Sequence, residues 1–310
     1  MLDLRRLRLL RELAHRGTIN AVASALQYSP SAVSQQLALL EREAGVPLLE
    51  RVGRNVRLTA AAQILVGHAD ALLARVEEAE ADLEATAEQI TGTVRIAAIQ
   101  SAGLYLLAPA LELIARDHPA LRLEVTDDEP ETSMPTLALG GHDVVLGDEY
   151  AFHPRPPDDR LTREILLEER FRIMLPASHP QAAHGGPVPL ASLKHDAWAA
   201  GKEPGFYSEL TIRACRALGG FEPDIRHRSN DLLMLLTLVA HGQCVTLLPD
   251  LVRPDREPNA VARDVAEVPL TRTVYGAFRR GSERRPAISA VLAALRETAA
   301  GLRSEATPAP

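Results

Sequence analysis

The sequence predicts an α/β protein that begins with a small, mostly helical head. Three patterns predict this fold class. Apolar residues at helical spacing, separated by glycine, serine and proline, divide residues 1–58 into short helices followed by a hairpin. One unbroken helical pattern fills residues 59–90, and from Thr93 onward apolar strands alternate with helices. At 310 residues, the chain has room for two or three modules with cores of their own.

Local signals in the head mark where each helix begins and ends. Leucines at helical spacing predict a first helix that Gly17 ends, and Thr18 is a good N-cap for a second helix that runs to Leu26. Ser29 can cap a third helix over residues 30–44, whose first position is a proline. Helix, short turn and helix together form the unit that reads DNA in helix-turn-helix proteins.

The outer face of the third helix offers groups suited to DNA. Val33 and Leu37 lie on its apolar face. Ser31, Ser34 and Gln35 lie on the opposite face near its start, where short donors and acceptors match base edges in a major groove. The pattern therefore predicts that this helix is the recognition helix.

Two short strands after the third helix predict a wing. They are joined at residues 53–55, and Arg51 and Arg54 stand where they can contact a phosphate or enter a minor groove. Arginines that only keep the surface soluble are the alternative interpretation.

The charge is unevenly distributed along the chain. The formal net charge is −7, yet residues 1–58 hold nine arginines against five carboxylates, a net charge of +4. Residues 59–90 carry −6. A basic head on an acidic body is typical of DNA-binding proteins, although a solvated charged face has a similar composition.

Composition argues against membrane, secreted and metal-dependent proteins. The chain has no apolar run near the roughly 20 residues of a membrane span, and its N-terminus lacks a secretory signal, so we expect a cytoplasmic protein. Cys215 and Cys244 are too few for a disulfide scaffold and lack metal-binding spacing. We therefore expect reduced thiols, no metal and no cofactor.

The head resembles the signature of LysR-type transcriptional regulators. The resemblance lies in the runs Ala21–Leu26, Ser29–Leu37, Leu40-Glu41, Gly45–Arg51, Arg54 and Leu58-Thr59. Ser31, Leu49 and Ala62 depart from it, because proline, phenylalanine and glycine are usual there. These departures leave the base preference open.

The resemblance implies a winged helix-turn-helix DNA-binding domain over residues 1–58. The residues that it implies for DNA contact are Thr18, Asn20, Ser29, Pro30, Ser31, Ser34, Gln35, Arg51 and Arg54. Of these, Pro30, Ser31 and Gln35 occupy positions that read bases in the family.

Residues 59–90 predict a linker helix through which two chains dimerise. Its apolar residues recur at alternating spacings of four and three residues, as the a and d positions of a coiled coil do. The principal members of this apolar seam are Leu65, Ala69, Leu72, Val76, Leu83 and Ile90. A stripe that faces the chain's own core is the alternative. By resemblance, antiparallel pairing of linker helices and contacts between C-terminal domains give a homotetramer, a dimer of dimers on promoter half-sites, with RNA polymerase as a further partner.

The body from residue 91 predicts alternating strands and helices. Strands are expected at 94–99, 121–125, 141–147, 166–176, 225–229, 242–249 and 274–278, with helices at 230–241 and 287–302. The long run at 166–176 indicates a crossover between two lobes, with a return near Pro269.

The resemblance implies two Rossmann-like lobes of periplasmic-binding-protein type, with a small-molecule effector between them. The expected limits are 91–165 and 268–303 for lobe I, 166–267 for lobe II, and 304–310 for a flexible tail.

Candidate effector contacts lie where strands end and helices begin. Unpaired amides and the positive end of a helix dipole favour an anionic or polar ligand there. The candidates are Gln100, Ser101, Ala102, Lys202, Tyr207, Ser229 and Asn230. The alternatives are that the serines only cap helices, that Tyr207 only packs in the core and that Lys202 is a solvated loop residue.

Three other functions compete with an effector-controlled DNA-binding regulator. A redox sensor needs a reactive thiol with a partner, which the sites of Cys215 and Cys244 do not favour. An enzyme needs a catalytic constellation, and the histidines are scattered with no Ser-His-Asp arrangement or phosphate-binding glycine loop. A DNA-binding protein that needs no effector remains open at this point.

Overall fold

The computed structural model describes most of the chain. The described residues are 1–26, 28–53, 55–87, 89–151 and 154–306. The predicted DNA contact Arg54 and residues 307–310 of the predicted tail lie outside them.

The described part of the head contains helices and a hairpin at the predicted positions. They are α1 Leu4–Arg16, α2 Ile19–Leu26, α3 Pro30–Ala44, β1 Leu49–Val52 and β2 Asn55–Leu58. Thr18 Oγ1 accepts the amide of Ala21 at 3.2 Å, and Ser29 Oγ accepts the amide of Ala32 at 3.1 Å. Gly17 ends α1 with φ of 76°, a left-handed conformation that favours glycine. The predicted helix boundaries in the head are therefore confirmed.

The linker helix α4 spans Ala60–Glu84 and is shorter than predicted. Thr59 caps its start as expected. At its end, the hydroxyl of Thr86 donates to the carbonyl of Leu83 at 2.7 Å, and such side-chain bonds compete with helix continuation. Ile90 consequently lies beyond the helix and packs against the core of lobe I.

The body is built around a mixed sheet. Within the described residues, seven strands form this sheet in the order β10-β6-β11-β5-β3-β4, with β9 also paired to β6, while β7 and β8 pair separately. The strands are β3 Gly92–Ala98, β4 Leu121–Asp127, β5 Val144–Tyr150, β6 Leu161–Pro176, β7 Ala197–Ala200, β8 Asp224–Arg228, β9 Thr246–Pro249, β10 Ala260–Arg263 and β11 Leu270–Arg279.

Helices cover the sheets of the body. The α-helices are α5 Gln100–Ala102, α6 Ala108–Asp117, α7 Pro130–Ala138, α8 Phe206–Ala214, α9 Leu232–Ala240 and α10 Pro286–Ala306. A π-helical turn at Gly103–Leu107 joins α5 to α6, and another at Cys215–Gly219 extends α8. Short 3₁₀ helices lie at Pro180–Ala183, Leu190–Leu193, Asp250–Val252, Pro254–Arg256 and Ser282–Arg284.

Strand β6 runs from lobe I into lobe II, and β11 leads the chain back into lobe I. The first part of β6 pairs with β11 as far as Phe171 opposite Leu270. Its last part pairs with β9 and β10 instead. The predicted crossover and return are thus confirmed, and the two lobes have separate apolar cores, one around Ile96 and Leu146 and the other around Trp198.

Some element limits in the body differ from the prediction. Strand β5 begins at Val144 because Gly140, with φ of 84°, forms a turn before it. Gly242 likewise has φ of 71°, and β9 begins only at Thr246. Helix α10 continues to Ala306, because residues 303–306 contain neither proline nor glycine, so the predicted flexible tail does not begin at residue 304.

The head packs directly against lobe I of the same chain. Arg160 of lobe I donates to Glu12 of α1 at 2.9 Å, and the Glu12 side chain is fully buried. Arg11 donates to the carbonyl of Ala138 at 3.2 Å. Asp158 contributes a second carboxylate, bound to Arg160. A buried ionic cluster therefore joins the two domains.

Helix α4 also rests on lobe I. Arg279 donates to Glu77 at 2.8 Å, and Arg285 donates to Glu84 at 2.6 Å. A β-carbon on Gly281 would lie 2.9 Å from the carbonyl oxygen of Ala74, and its φ is 91°. Only glycine allows so close an approach of the helix.

Candidate DNA-binding and effector sites

The start of α3 presents polar side chains to solvent. Ser31, Ser34 and Gln35 are exposed, while Val33 and Leu37 are buried in the head's core. The exposed face is the one that the sequence assigns to base contact.

A cavity of about 300 Å³ lies between the starts of α2 and α3 and the wing. It is lined by Thr18, Ile19, Asn20, Pro30, Ser31, Ser34 and Val56. The fold thus brings together in one groove five of the residues singled out for DNA binding. Two helix N-termini open on it, which favours an anionic group such as a phosphate.

The hydroxyl groups at this site differ in how freely they can reach a ligand. Ser29 serves as the cap of α3 and also contacts Ser31, with 2.9 Å between the two hydroxyl oxygens. Ser34 donates to the carbonyl of Pro30 at 2.9 Å, which leaves its acceptor positions available. Among the described residues, no hydrogen bond engages the side chain of Gln35, which is thus the most adaptable group on this face.

The wing carries a further exposed cation. Arg51 on β1 is exposed, whereas Arg57 on β2 is paired with Glu50 at 2.9 Å. Arg51 is therefore better placed than Arg57 for a phosphate.

The cleft between the lobes collects several of the predicted effector residues. Gln100, Ser101, Tyr207 and Asn230 line one cavity of about 20 Å³, which has room for about one water molecule. The residues that complete its lining and that the sequence reasoning missed are Ile99, Glu129, Asp148, Tyr150, Phe171, Leu232 and Arg272.

Arg272 is the central charge of the cleft. It lies on β11 and is 2% exposed. Its guanidinium donates to Glu169 at 2.7 Å, to Asp148 at 3.1 Å and to Ser101 Oγ at 2.8 Å. These carboxylates raise the pKa of Arg272 against the opposing effect of burial, so the group stays charged. A sequence signal was present, because strand alternation places Arg272 on the same inward face as Val274.

Gln100 bridges the two lobes. Its Nε2 donates to Asp231 at 2.9 Å, and its Oε1 accepts the amide of Leu232 at 2.8 Å. A second bridge forms where the amide of Phe206 donates to Glu131 at 3.0 Å. The cleft is therefore closed by the chain's own contacts.

Ala102, Lys202 and Ser229 do not line the cavity, and Tyr207 lines it while its hydroxyl is engaged elsewhere. Ala102 is buried in the core of lobe I. Lys202 has an exposed side chain, as the solvated-loop alternative held, and only its backbone amide reaches Asn230, at 2.8 Å. Ser229 is buried and accepts the amide of Asp231 at 3.0 Å, and Asp231 itself is the N-cap of α9. Tyr207 donates to the carbonyl of Leu247 at 2.8 Å while its ring faces the cavity.

Two predicted dimerisation residues are used within the chain. Ala69 is fully buried in the head's core and cannot meet a partner, whereas Ile90 packs on lobe I and is only partly buried. Leu72 and Leu83 are 45% and 72% exposed on α4. The remaining seam is thus an open apolar strip that also includes the partly buried Leu65 and Val76.

The cysteines do not have the surroundings of reactive thiols. Burial raises the pKa of Cys215 to about 12 and that of Cys244 to about 11, so both are thiols at neutral pH. Across the described ranges, no group of three histidine, cysteine, aspartate or glutamate side chains could hold a metal ion. No helix in those ranges is long and apolar enough to cross a membrane.

Comparison with known proteins identifies the family of this chain. The family profile of the bacterial regulatory helix-turn-helix protein, lysR family, matches residues 4–63, and that of the LysR substrate binding domain matches residues 87–300. The chain belongs to the LysR family of transcriptional regulators, with a DNA-binding head and an effector-binding body.

Relatives and solved structures of this family align over nearly the whole chain. The transcriptional dual regulator GltC of Bacillus subtilis is 26% identical over 279 residues, 90% of this chain and 91% of GltC. The DNA-binding transcriptional dual regulator OxyR of Escherichia coli is 27% identical over 301 residues, 95% of each chain. Full-length CbnR, solved in complex with its target DNA, has a TM-score of 0.53 at 20% identity and covers 96% of this chain and 100% of that chain.

Proposed function

We propose that this chain binds promoter half-sites through α3 and that an effector in the cleft between its lobes changes the outcome of that binding. The observation that carries the proposal is the exposed polar face of α3 beside the groove at Thr18 and Asn20. The contact residues that we propose are those named from the sequence, with Gln35 as the main base-reading side chain and Arg51 as a phosphate contact. Arg54 belongs to this proposal on sequence grounds alone.

We further propose that effector binding works through the bridges that close the cleft. A ligand larger than a water molecule must displace Gln100 from Asp231 or move the lobes apart, since the cavity measures only about 20 Å³. The ligand then favours one arrangement of the lobes over another, which is a population shift. A regulatory rather than catalytic role agrees with the relatives, which are transcriptional regulators.

For assembly, we propose that two chains dimerise through the apolar strip at Leu72, Val76 and Leu83. Two such dimers then associate through contacts between their effector-binding bodies. Exposed leucines on a helix mark an interaction surface. Two heads would then hold two half-sites, and RNA polymerase would be a further partner on the promoter. Because its target is chromosomal DNA, we place the protein in the cytoplasm.

The Gln35→Ala substitution tests the recognition helix. The probe is a DNA fragment selected by the wild-type chain from a random pool, compared with a scrambled fragment of equal length. We expect the preference for the selected fragment to fall by about 1–3 kcal/mol, while binding to the scrambled fragment changes little, because a base contact carries specificity and phosphate contacts carry affinity.

The matched control is Gln243→Ala, an exposed glutamine in lobe II. It should leave both affinities unchanged. If Gln35→Ala preserves the full preference, α3 does not read the bases in the proposed way.

A further inference from the structure

The cleft has more carboxylates than cations. Glu129 and Asp148 line the cavity, and Glu169 and Glu131 lie at its edges. Arg272 is committed to two of these carboxylates and to Ser101. The sequence alone favoured an anionic or polar ligand, because it showed the helix N-termini but not this set of acids.

The second arginine near the cleft is committed as well. Arg155 donates through Nε to the carbonyl of Asp148 at 2.8 Å, and its Nη2 lies 3.4 Å from Glu131. Its guanidinium stacks 3.9 Å over the ring of Phe206. Both arginines therefore already neutralise carboxylates of the chain, and a ligand carboxylate would have to compete with those partners.

Asp148 has an oxygen with no hydrogen-bond partner in the described structure. Its Oδ2 accepts from Tyr150 at 2.9 Å and from Arg272 at 3.1 Å. Its Oδ1 is buried and accepts no hydrogen bond there, with Nη2 of Arg155 at 3.7 Å. Buried acceptors of this kind normally have a donor, so the site is incomplete without a donor group.

Glu129 faces the same cavity. Burial, together with the negative charges of Asp148, Glu131 and Asp127, raises its pKa to about 8 against the lowering effect of Arg155. No hydrogen bond to its carboxyl group is present among the described residues. A cation beside Glu129 would favour the ionised carboxylate and lower this pKa.

We propose that the effector carries an ammonium or guanidinium group that enters the cleft between Glu129 and Asp148. The charged end donates to Asp148 Oδ1 and to the ionised Glu129, and the rest of the molecule occupies space released when the bridge of Gln100 opens. This inference rests on the proposed function, because it takes the cleft to be the regulatory site.

Matched four-carbon probes test the charge of the ligand. The melting temperature of the full chain is measured with 1,4-diaminobutane, butane-1,4-diol or succinate, without DNA. We expect a rise with the diamine and none with the diol or the diacid. A rise with succinate, or no rise with the diamine, overturns the proposal.

Substitutions of the two cleft carboxylates test whether the diamine binds at the proposed site. Glu129→Gln should weaken diamine binding at least tenfold, and Asp148→Asn should do the same if it folds. Glu112→Gln, an exposed glutamate on α6, is the matched control and should bind as the wild type does. Equal binding by Glu129→Gln and the control overturns the assignment.

The pH dependence adds a readout that a structural role would not give. Glu129 must lose a proton to pair with a cation, so diamine affinity should rise as the pH is raised from 6 to 8.5, with proton release detected by calorimetry in buffers of different ionisation enthalpy. The alkylammonium groups remain charged in this range, as lysine does. Affinity independent of pH overturns the role of Glu129.

These experiments contain no DNA, so their outcomes are separate from that of the Gln35→Ala test. A failure of the proposed ligand class would leave the proposal of DNA binding through α3 intact.

Discussion

A carboxyl group that is partly desolvated and surrounded by more carboxylates than cations makes folding depend on pH, and the half-buried Glu129 is such a residue. Its pKa is about 8 in the folded chain and about 4.3 in an unfolded one. Between these values the folded state holds a proton that the unfolded state has lost. Stability contributed by this group is therefore fully present below about pH 4.3 and decreases as the pH rises towards 8.

The first prediction at this scale is that Glu129→Gln flattens the pH dependence of stability. At pH 9 the variant should be more stable than the wild type by about 1–3 kcal/mol, since one pKa unit corresponds to about 1.4 kcal/mol and partial solvation reduces the effect. Urea unfolding at pH 6 and pH 9 measures this difference. Glu112→Gln should follow the wild type, and parallel pH profiles for all three proteins would contradict the burial effect.

Residues of this kind mark the limit of sequence reasoning. Ser101 was a candidate from its place after a strand, yet its partner Arg272 is 171 positions away. The other partners of Arg272, Glu169 and Asp148, are 103 and 124 positions away. No local pattern specifies such pairs, so the acidic character of the cleft became visible only in the folded chain.

At the scale of elements, helix α4 has two different faces. One face supplies Ala69 to the head's core and Glu77 to lobe I. The other bears Leu72 and Leu83, whose exposure costs free energy unless a partner covers them. The regular seam in the sequence was thus a mixture of intrachain and open positions.

The double substitution Leu72→Asp with Leu83→Asp should prevent dimerisation through α4. Charges in an apolar interface oppose association, so sedimentation should show a monomer at concentrations where the wild type is a dimer or tetramer. Gln63→Asp, exposed on the opposite side of α4, is the control and should leave the mass unchanged. An unchanged mass for the double variant would move the dimer interface elsewhere.

Helix boundaries were predictable where a single residue decides them. Gly17, Ser29 and Gly45 act through their own backbone or side chain, so each limit in the head could be predicted locally. The end of α4 depends on Thr86 competing with the backbone and on lobe I holding Ile90, which is a tertiary effect.

At the scale of the molecule, a buried ionic cluster connects the head to lobe I. Glu12 receives Arg160 from the body and Arg16 from its own helix at 3.1 Å. Because the cluster is buried, salt screens it less than surface pairs.

Arg160→Ala should therefore weaken the junction. It leaves Glu12 with fewer donors and should cost about 1–3 kcal/mol of stability, with faster hydrogen exchange in α1. Arg284→Ala is the control, since it breaks an exposed pair with Asp82 worth at most about 1 kcal/mol. Equal effects of the two variants would show that the buried cluster does not hold the head in place.

The close approach of Ala74 to Gly281 has a consequence for signalling. The backbone of α4 lies against lobe I and is flanked by the pairs of Arg279 and Arg285, so we expect α4 to move together with that lobe. The head is bonded to the same lobe, whereas lobe II meets lobe I across the cleft bridges that a ligand would open. If the proposed assembly places a second subunit on lobe II, we expect a monomeric variant to bind the ligand without any change in its affinity for DNA.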